Sequence, residues 1–282
     1  MFKVFLQMLN KENAKRIMNL SGSECLELSK VCLDNADSKY DDAITLSKAG
    51  SFGNATSQLM LCMEELMKAT VLSLDGNGFQ FRKNVKGIVH LFQNHKLRYF
   101  LAFAISVFYV FGKDLKWLLI KLHDNPEKFL KLDTNDERFQ RGMMAWMINK
   151  MRTIEKEVAW FSNANIYRQD GFYVDYVDGI RSPSSITEKQ FVEFKNRISN
   201  FRVFTKEFIS VLKVEGNGIE VFNQQVVKLQ ATFIKHNYYE KIGVLVTNLN
   251  KREYDGFSKL AESLRGATEK LTKEYSEGKS IF

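Results

Sequence analysis

The most regular pattern in the sequence is an apolar residue at every third or fourth position between Cys25 and Ala43. This spacing places apolar side chains along one face of a helix. Ser21 lies where an N-cap is expected, because a serine oxygen accepts the unpaired amide hydrogens of a first helical turn. We therefore predict a long amphipathic helix that follows Ser21 and ends near Lys48.

A second apolar stripe begins at Phe52 and continues to Leu74. Only the segment 49–51, Ala-Gly-Ser, separates it from the first helix. A short glycine-containing loop between two amphipathic helices predicts an antiparallel helical hairpin. The glycine-rich segment 75–78 then ends the second helix.

The rest of the chain also shows helical periodicity. Predicted helices cover about 87–122 with a break near Gly112, about 136–163, Thr187 to about Lys213, about 220–248 and about 254–276. The inner face of the helix at 136–163 is predicted to comprise Phe139, Met143, Trp146, Met147, Met151, Ile154 and Val158. Residues from Tyr167 to Ser185 are predicted to be irregular, with an extended loop rather than a sheet at 172–177.

These patterns predict an all-α fold with one long irregular loop. We expect residues 1–20 to form a lead-in, 21–214 the main helical domain and 215–282 an additional helical C-terminal extension. Only two prolines occur in 282 residues, which favours uninterrupted helices because an internal proline breaks a backbone hydrogen bond.

Composition adds information about surroundings and partners. The formal net charge of +8 favours contact with polyanions such as RNA, and it is equally compatible with a basic soluble protein that binds none. Three cysteines without a CxxC pair indicate a reducing, cytoplasmic setting; Cys25 and Cys32 are expected on one helix face as core residues. The longest apolar block, 99–111, is shorter than the roughly 20 residues that cross a membrane, so no membrane contact is predicted.

Three charged residues interrupt the apolar second helix. Glu64 and Lys68 are about 40° apart around the helix axis, and Glu65 and Lys68 about 60°. All three share one face among apolar neighbours, and an unpaired buried charge is costly. We predict a partly buried cluster that is neutralised internally or by an outside group; the alternative is a solvated face with ordinary ion pairs.

The same helices carry a family resemblance. Asn35-Ala36, Asp42-Ala43 and the run 50–55, Gly-Ser-Phe-Gly-Asn-Ala, precede the Glu-Glu-x-x-Lys motif at 64–68. Two later elements follow in order: 94–98, Asn-His-Lys-Leu-Arg, and 168–175, which begins with Arg168 and ends in Phe-Tyr-Val-Asp. Together they resemble the abortive infection protein V (AbiV) family over about 24–213.

This resemblance implies phage defence by abortive infection and a HEPN-like helical bundle. HEPN proteins often form homodimers, and many are metal-independent ribonucleases with an Arg-x4–6-His motif. No histidine of this chain has arginine at that spacing. A ribonuclease would therefore have to assemble its centre from separate elements.

The residues that could supply such a centre come from the matching motifs. We predict His95 as acid and base, Arg168 with Lys96 or Lys68 as phosphate contacts, and Glu64 as part of the catalytic group. Substrate-binding candidates are Lys96, Arg98, Glu65, Tyr173 and Asp175. The alternatives are that His95 is a surface histidine, that Arg168 pairs with Asp170, Glu64 or Glu65, and that Tyr173 and Asp175 only fix the loop.

No sequence motif indicates a metal or cofactor. His90 and His95 are about 140° apart on a helix, which makes joint metal ligation awkward, and no phosphate-binding glycine loop occurs. The sequence is therefore compatible with two functions. One is an effector that cleaves RNA or otherwise blocks translation after infection. The other is a non-catalytic helical module that binds a phage protein, as trigger, or a host translation component.

Overall fold

The computed structural model describes residues 12, 16–124, 136–176, 180–212, 228, 231–232, 234–249 and 256–277. Almost all regular structure in these ranges is α-helical, which confirms the predicted fold class. In chain order the elements are α1 (Gly22–Lys48), α2 (Phe52–Gly76), α3 (Phe81–Asn84), a 3-10 helix (Ile88–Phe92), α4 (His95–Asp124), α5 (Glu137–Ser162), α6 (Ala164–Asp170), β1 (Asp175–Tyr176), β2 (Ile180–Arg181), a 3-10 helix (Pro183–Ser185), α7 (Glu188–Val211), α8 (Tyr238–Leu249) and α9 (Gly256–Ser276).

The predicted helical hairpin is confirmed. Ser21 caps α1 in a reciprocal arrangement, in which its hydroxyl accepts from the Glu24 amide at 3.3 Å and the Glu24 carboxylate accepts from the Ser21 amide at 2.7 Å. The chain then reverses at Gly50, whose φ of +74° suits glycine. Cys25 and Cys32 are buried against α2, as predicted.

Helix α2 is the central element of this part of the structure. It packs against α1, α6 and α7, and for that reason most of its side chains are buried. A charged residue on such a helix must find its partners within the protein. Glu64 lies near the middle of α2 and is 1% exposed.

The prediction of one helix over about 87–122 with a break near Gly112 was wrong. The break lies earlier, where Gly87 adopts a φ of +80° and a 3-10 helix follows. Asn94 then caps α4, because its side-chain oxygen accepts from the Lys96 amide at 2.9 Å. Helix α4 continues through Gly112, since one glycine costs a helix only about 1 kcal/mol.

The predicted inner face of α5 was also partly wrong. Val158 is buried as expected, but Met144 and Ile148 are buried in place of Met143 and Trp146, which are 36% and 38% exposed. Apolar residues are nearly continuous from 143 to 148, so periodicity could not distinguish the two faces there. The side chain of Phe139 lies outside the described residues.

The segment predicted to be irregular contains regular structure at three places, one of which is the 3-10 helix Pro183–Ser185. Tyr167 belongs to α6, and β1 and β2 pair antiparallel through Asp175 with Arg181 and Tyr176 with Ile180.

Among the described residues, no helix has the length and apolar character needed to cross a bilayer.

The chain forms two compact units that interleave in sequence. One comprises 1–102 and 164–254, and the other comprises 103–163 and 255–282. The second includes α5 and α9, joined by a hydrogen bond of 2.8 Å from Thr268 to Glu155. The predicted boundary between 214 and 215 falls outside the described residues and stays a prediction. Glu64, His95 and Arg168 all lie within the first unit.

Candidate functional site

The buried carboxylate of Glu64 is the centre of a polar cluster. Tyr99 donates its hydroxyl to Glu64 Oε1 at 2.6 Å, and His95 Nδ1 lies 2.7 Å from both carboxylate oxygens. Arg98 Nη1 donates to Glu64 Oε2. Arg168 Nε lies 3.8 Å from Oε1. One carboxylate is thus surrounded by four donor side chains from two other helices.

Three of these donors come from the first turns of α4. His95, Arg98 and Tyr99 are spaced i, i+3 and i+4, so they share one helix face. Because Asn94 caps the helix, its first residue is fixed and the three side chains point towards α2 together. The spacing was visible in the sequence, but Tyr99 was counted only in the apolar block 99–111 and its role was missed.

The electrostatics of the cluster favour an ionised Glu64. Burial alone would raise the pKa of Glu64, but the hydrogen bond from His95 and the charge of Arg98 outweigh it and hold that pKa below its ordinary value of 4.5. Burial, followed by the charge of Glu64, raises the pKa of the Tyr99 phenol. Tyr99 therefore remains a protonated donor to a carboxylate.

This charge state determines the tautomer of His95. An ionised carboxylate only accepts hydrogen bonds, so Nδ1 must carry the hydrogen that lies between the two groups. In the neutral imidazole, Nε2 then has a free lone pair. The His95 side chain is 37% exposed, so it is accessible from solvent, whereas Glu64 is not.

Arg98 is directed inward. Its side chain is 8% exposed, and besides Glu64 it donates to the carbonyl oxygens of Leu91 and Phe92 at 2.8 Å each. These contacts attach the 3-10 segment to the start of α4. The guanidinium donates to these three internal acceptors, and the predicted role of Arg98 as a substrate contact stays a prediction.

Close packing of α6 on α2 brings Arg168 to the cluster. Ser57 donates its hydroxyl to the Arg168 carbonyl at 2.7 Å. A Cβ at Gly171 would lie 2.0 Å from the Ser57 hydroxyl oxygen and 2.4 Å from the Gly53 carbonyl oxygen, so only glycine fits there. Arg168 donates to Asn165 at 3.3 Å, while its buried Nε has no hydrogen-bond partner among the described residues.

The remaining predicted site residues have other partners or surroundings. Lys68 pairs with Glu65 rather than Glu64, and the two side chains are 21% and 16% exposed. Lys96 is exposed next to His95, and Tyr173 is 63% exposed after α6. Asp175 lies in β1, but its side chain lies outside the described residues. The predicted three-residue cluster on α2 is therefore split: Glu64 faces α4 and α6, and Glu65 pairs with Lys68.

Other reactive groups are few within the described ranges. Burial raises the pKa of Cys32 to about 11 and that of Cys62 to about 12, so neither thiol is poised as a nucleophile. No set of three or more histidine, cysteine or acidic side chains among the described residues is arranged to hold a metal ion.

Comparison with known proteins gives the family. The model of a HEPN family described as AbiV matches residues 24–200, which is more than half of the chain. The chain belongs to the AbiV family. No curated protein and no solved structure matches it. Membership associates this AbiV protein with abortive infection, a defence against phage. The match includes Glu64, His95 and Arg168, whereas α8 and α9 lie beyond it.

Proposed function

We propose that this AbiV protein acts in abortive infection by cleaving RNA without a metal ion. One observation carries the proposal: buried Glu64 holds His95 through Nδ1, and Arg168 lies beside the same carboxylate. The imidazole is thereby oriented with Nε2 available to a substrate. The Arg168 guanidinium lies beside the same carboxylate, where it can contact the phosphate of a bound substrate.

The chemistry proposed is transfer of a phosphodiester to the neighbouring ribose hydroxyl. His95 Nε2 takes the proton from a 2′-hydroxyl, and the resulting oxygen forms a bond to the adjacent phosphorus. The bond from phosphorus to the 5′-oxygen breaks, and that oxygen takes a proton from the imidazolium or from water. The products are a 2′,3′-cyclic phosphate and a 5′-hydroxyl end.

The surrounding charges support this reaction. Glu64 stabilises the imidazolium that forms when His95 takes the proton. Two guanidinium groups, those of Arg98 and Arg168, face one carboxylate, so the cluster carries one net positive charge while His95 is neutral. Such a charge attracts a phosphate. Arg168 and exposed Lys96 are the proposed phosphate contacts, and Arg98 is proposed to position Glu64.

Infected cells provide the test, because they supply any trigger. Cells that express wild type, His95→Ala, Arg168→Ala or His236→Ala are challenged with phage, and RNA ends are mapped. His236 is an exposed histidine in the turn before α8 and serves as the matched control. We expect 2′,3′-cyclic phosphate ends with wild type and His236→Ala. We expect them to fall roughly 100-fold or more with the other two variants.

Two results would contradict this function. The first is unchanged RNA fragments with His95→Ala. The second is phage protection by the wild type while cellular RNA stays intact. Expression levels and melting temperatures of all variants show whether a loss reflects chemistry or unfolding.

The second candidate is the non-catalytic interaction module. It is favoured by the internal commitment of Arg98 and by an exposed apolar pair after α6, in which Tyr173 is 63% and Val174 is 74% exposed. Protection that survives His95→Ala and is lost when Tyr173 and Val174 are both changed to serine would support a binding surface over catalysis.

The same proposal includes three further properties: homodimer formation, a phage-encoded protein as trigger, and a cytoplasmic location. They rest on the family and on the composition. Light scattering during size-exclusion chromatography measures the mass directly, and we expect twice the chain mass of 32.7 kDa. A monomer at micromolar concentration would exclude a stable dimer.

A further inference from the structure

Helix α8 forms one wall of an open pocket of about 560 Å³ in the first unit. The segment that follows α3 forms the other wall, with Asn84 and Lys86. The α8 wall extends from Asn237 to Asn248, which corresponds to roughly 16 Å along a helix axis. The volume is within the range of roughly 300–1,000 Å³ that is usual for small-molecule sites. The pocket is therefore large enough for an elongated small ligand.

Core packing holds the two walls of this pocket together. A Cβ at Gly243 would lie 3.1 Å from the Lys86 amide nitrogen, so the two segments are in close contact. Tyr239 donates its hydroxyl to the Phe79 carbonyl oxygen at 2.9 Å. Tyr239 also belongs to a buried cluster with Val85, Ile88, Leu97 and Val246. The pocket is therefore formed before any ligand arrives.

The two walls carry opposite charges. Lys86 supplies an ammonium group and Glu240 a carboxylate, and both residues are exposed. Gly243 lies against Lys86, and Glu240 precedes Gly243 by about 4.5 Å along the helix axis. In the part of the chain that the structure describes, neither a hydrogen bond nor a salt bridge joins the two side chains. A purely anionic ligand would meet the like charge of Glu240, whereas a zwitterion matches both walls.

The uncharged lining adds two further requirements. Asn84, Asn237 and Asn248 supply carboxamides, each of which both donates and accepts hydrogen bonds. A peptide group offers the matching pair, an N–H donor and a carbonyl acceptor. Ile234 and Val244 are 65% and 57% exposed and provide apolar surface that an aliphatic side chain would cover. Two opposite charges, peptide groups and an aliphatic side chain occur together in a short peptide.

We propose that this pocket binds a short zwitterionic peptide of two or three residues with a branched aliphatic side chain. Lys86 contacts the terminal carboxylate of the peptide, and Glu240 contacts its terminal ammonium group. The carboxamides pair with the peptide groups, and the aliphatic side chain packs on Val244. Such a peptide spans at most about 7–11 Å, which is shorter than the α8 wall. The site goes beyond the proposed RNA cleavage, because no step of binding involves His95 or Arg168.

A ligand-observed NMR titration of the full chain with the dipeptide Leu-Val tests this site. Three matched probes each lack one feature of that dipeptide. Acetyl-Leu-Val-amide keeps the side chains without the two charges, Gly-Gly keeps the charges without the side chains, and free leucine lacks the peptide group. We expect Leu-Val to bind with a Kd of about 1 mM or tighter, and each of the other three at least about ten-fold more weakly.

Variants of the lining test where the dipeptide binds. Lys86→Glu and Glu240→Lys should each weaken the binding at least about ten-fold, because each sets a like charge against one end of the peptide. Both positions are exposed, so neither replacement disturbs the core. Lys83→Glu makes the first of these changes at an exposed lysine outside the lining and should bind like wild type. His95→Ala should also bind like wild type, so this site and the RNA-cleaving site fail separately.

Three results would overturn the proposal. The first is that Leu-Val does not bind. The second is that acetyl-Leu-Val-amide, Gly-Gly or leucine binds as tightly as Leu-Val. The third is that Lys86→Glu and Lys83→Glu behave alike, which would place any binding outside this pocket.

Discussion

Replacement of Glu64 by glutamine should destabilise the protein far more than the same change at its neighbour Glu65. The carboxylate of Glu64 accepts from His95, Arg98 and Tyr99, and it lies 3.8 Å from Arg168 Nε. A carboxamide of the same shape offers one acceptor oxygen in place of two. Its nitrogen is a donor that would face other donors.

The size of the effect follows from burial. Glu64 is 1% exposed and Arg98 is 8% exposed, so the change leaves a buried guanidinium without its anion. Removal of one partner from a buried ion pair costs about 3–5 kcal/mol. In a domain of this size, each kcal/mol lowers the melting temperature by about 2–4 °C, so a fall of roughly 6–20 °C is expected.

Urea and thermal unfolding, followed by circular dichroism, measure this loss for Glu64→Gln and Glu65→Gln. Glu65 pairs with Lys68, and both side chains retain some exposure, so we expect that variant to lose about 1 kcal/mol or less. Equal losses in the two variants, or a Glu64→Gln protein as stable as wild type, would refute the assignment of Glu64 as the buried centre of the cluster.

Three further predictions concern the same elements. Tyr99→Phe removes a 2.6 Å hydrogen bond to a buried carboxylate and should cost about 1.5–3 kcal/mol in urea unfolding, so unchanged stability would contradict the contact. The pKa of Glu64 is depressed in the folded protein, so the stability that this carboxylate contributes is present above pH 4.5 and is lost as pH falls through the folded pKa. The difference in free energy of unfolding between wild type and Glu64→Gln should therefore narrow below about pH 4.5 in an acid unfolding series. A constant difference would argue against an ionised Glu64. Gly171→Ala forces a Cβ to within 2.0 Å of the Ser57 hydroxyl oxygen and should cost about 1–3 kcal/mol in thermal unfolding, whereas a neutral effect would show that α6 is not tightly packed on α2.

The hairpin was predictable because its information is local. Apolar spacing along α1 and α2, the Ser21 cap and the turn at Gly50 each depend on neighbours in sequence. The start of α4 was not predictable, because it depends on Gly87 adopting a positive φ and on Asn94 capping the helix seven residues after the predicted start at about 87.

The residues of the candidate site were easier to predict from the sequence than their arrangement. The apolar surroundings of Glu64 indicated a buried charge, and the family motifs pointed to His95 and Arg168. Helix geometry placed Glu64 and Glu65 almost equally close to Lys68, and only tertiary packing separates their partners. Tyr99 was missed because a tyrosine in an apolar run has the same pattern as a core aromatic residue.

Nitrogen NMR of the His95 side chain tests the central claim most directly. A protein labelled with ¹⁵N shows which ring nitrogen carries the hydrogen in the neutral imidazole, and a His95→Ala sample assigns the signal. The account predicts hydrogen on Nδ1 in wild type, with that preference lost in Glu64→Gln. Hydrogen predominantly on Nε2 in the wild type would contradict it, because the nitrogen proposed to accept the ribose proton would already be occupied.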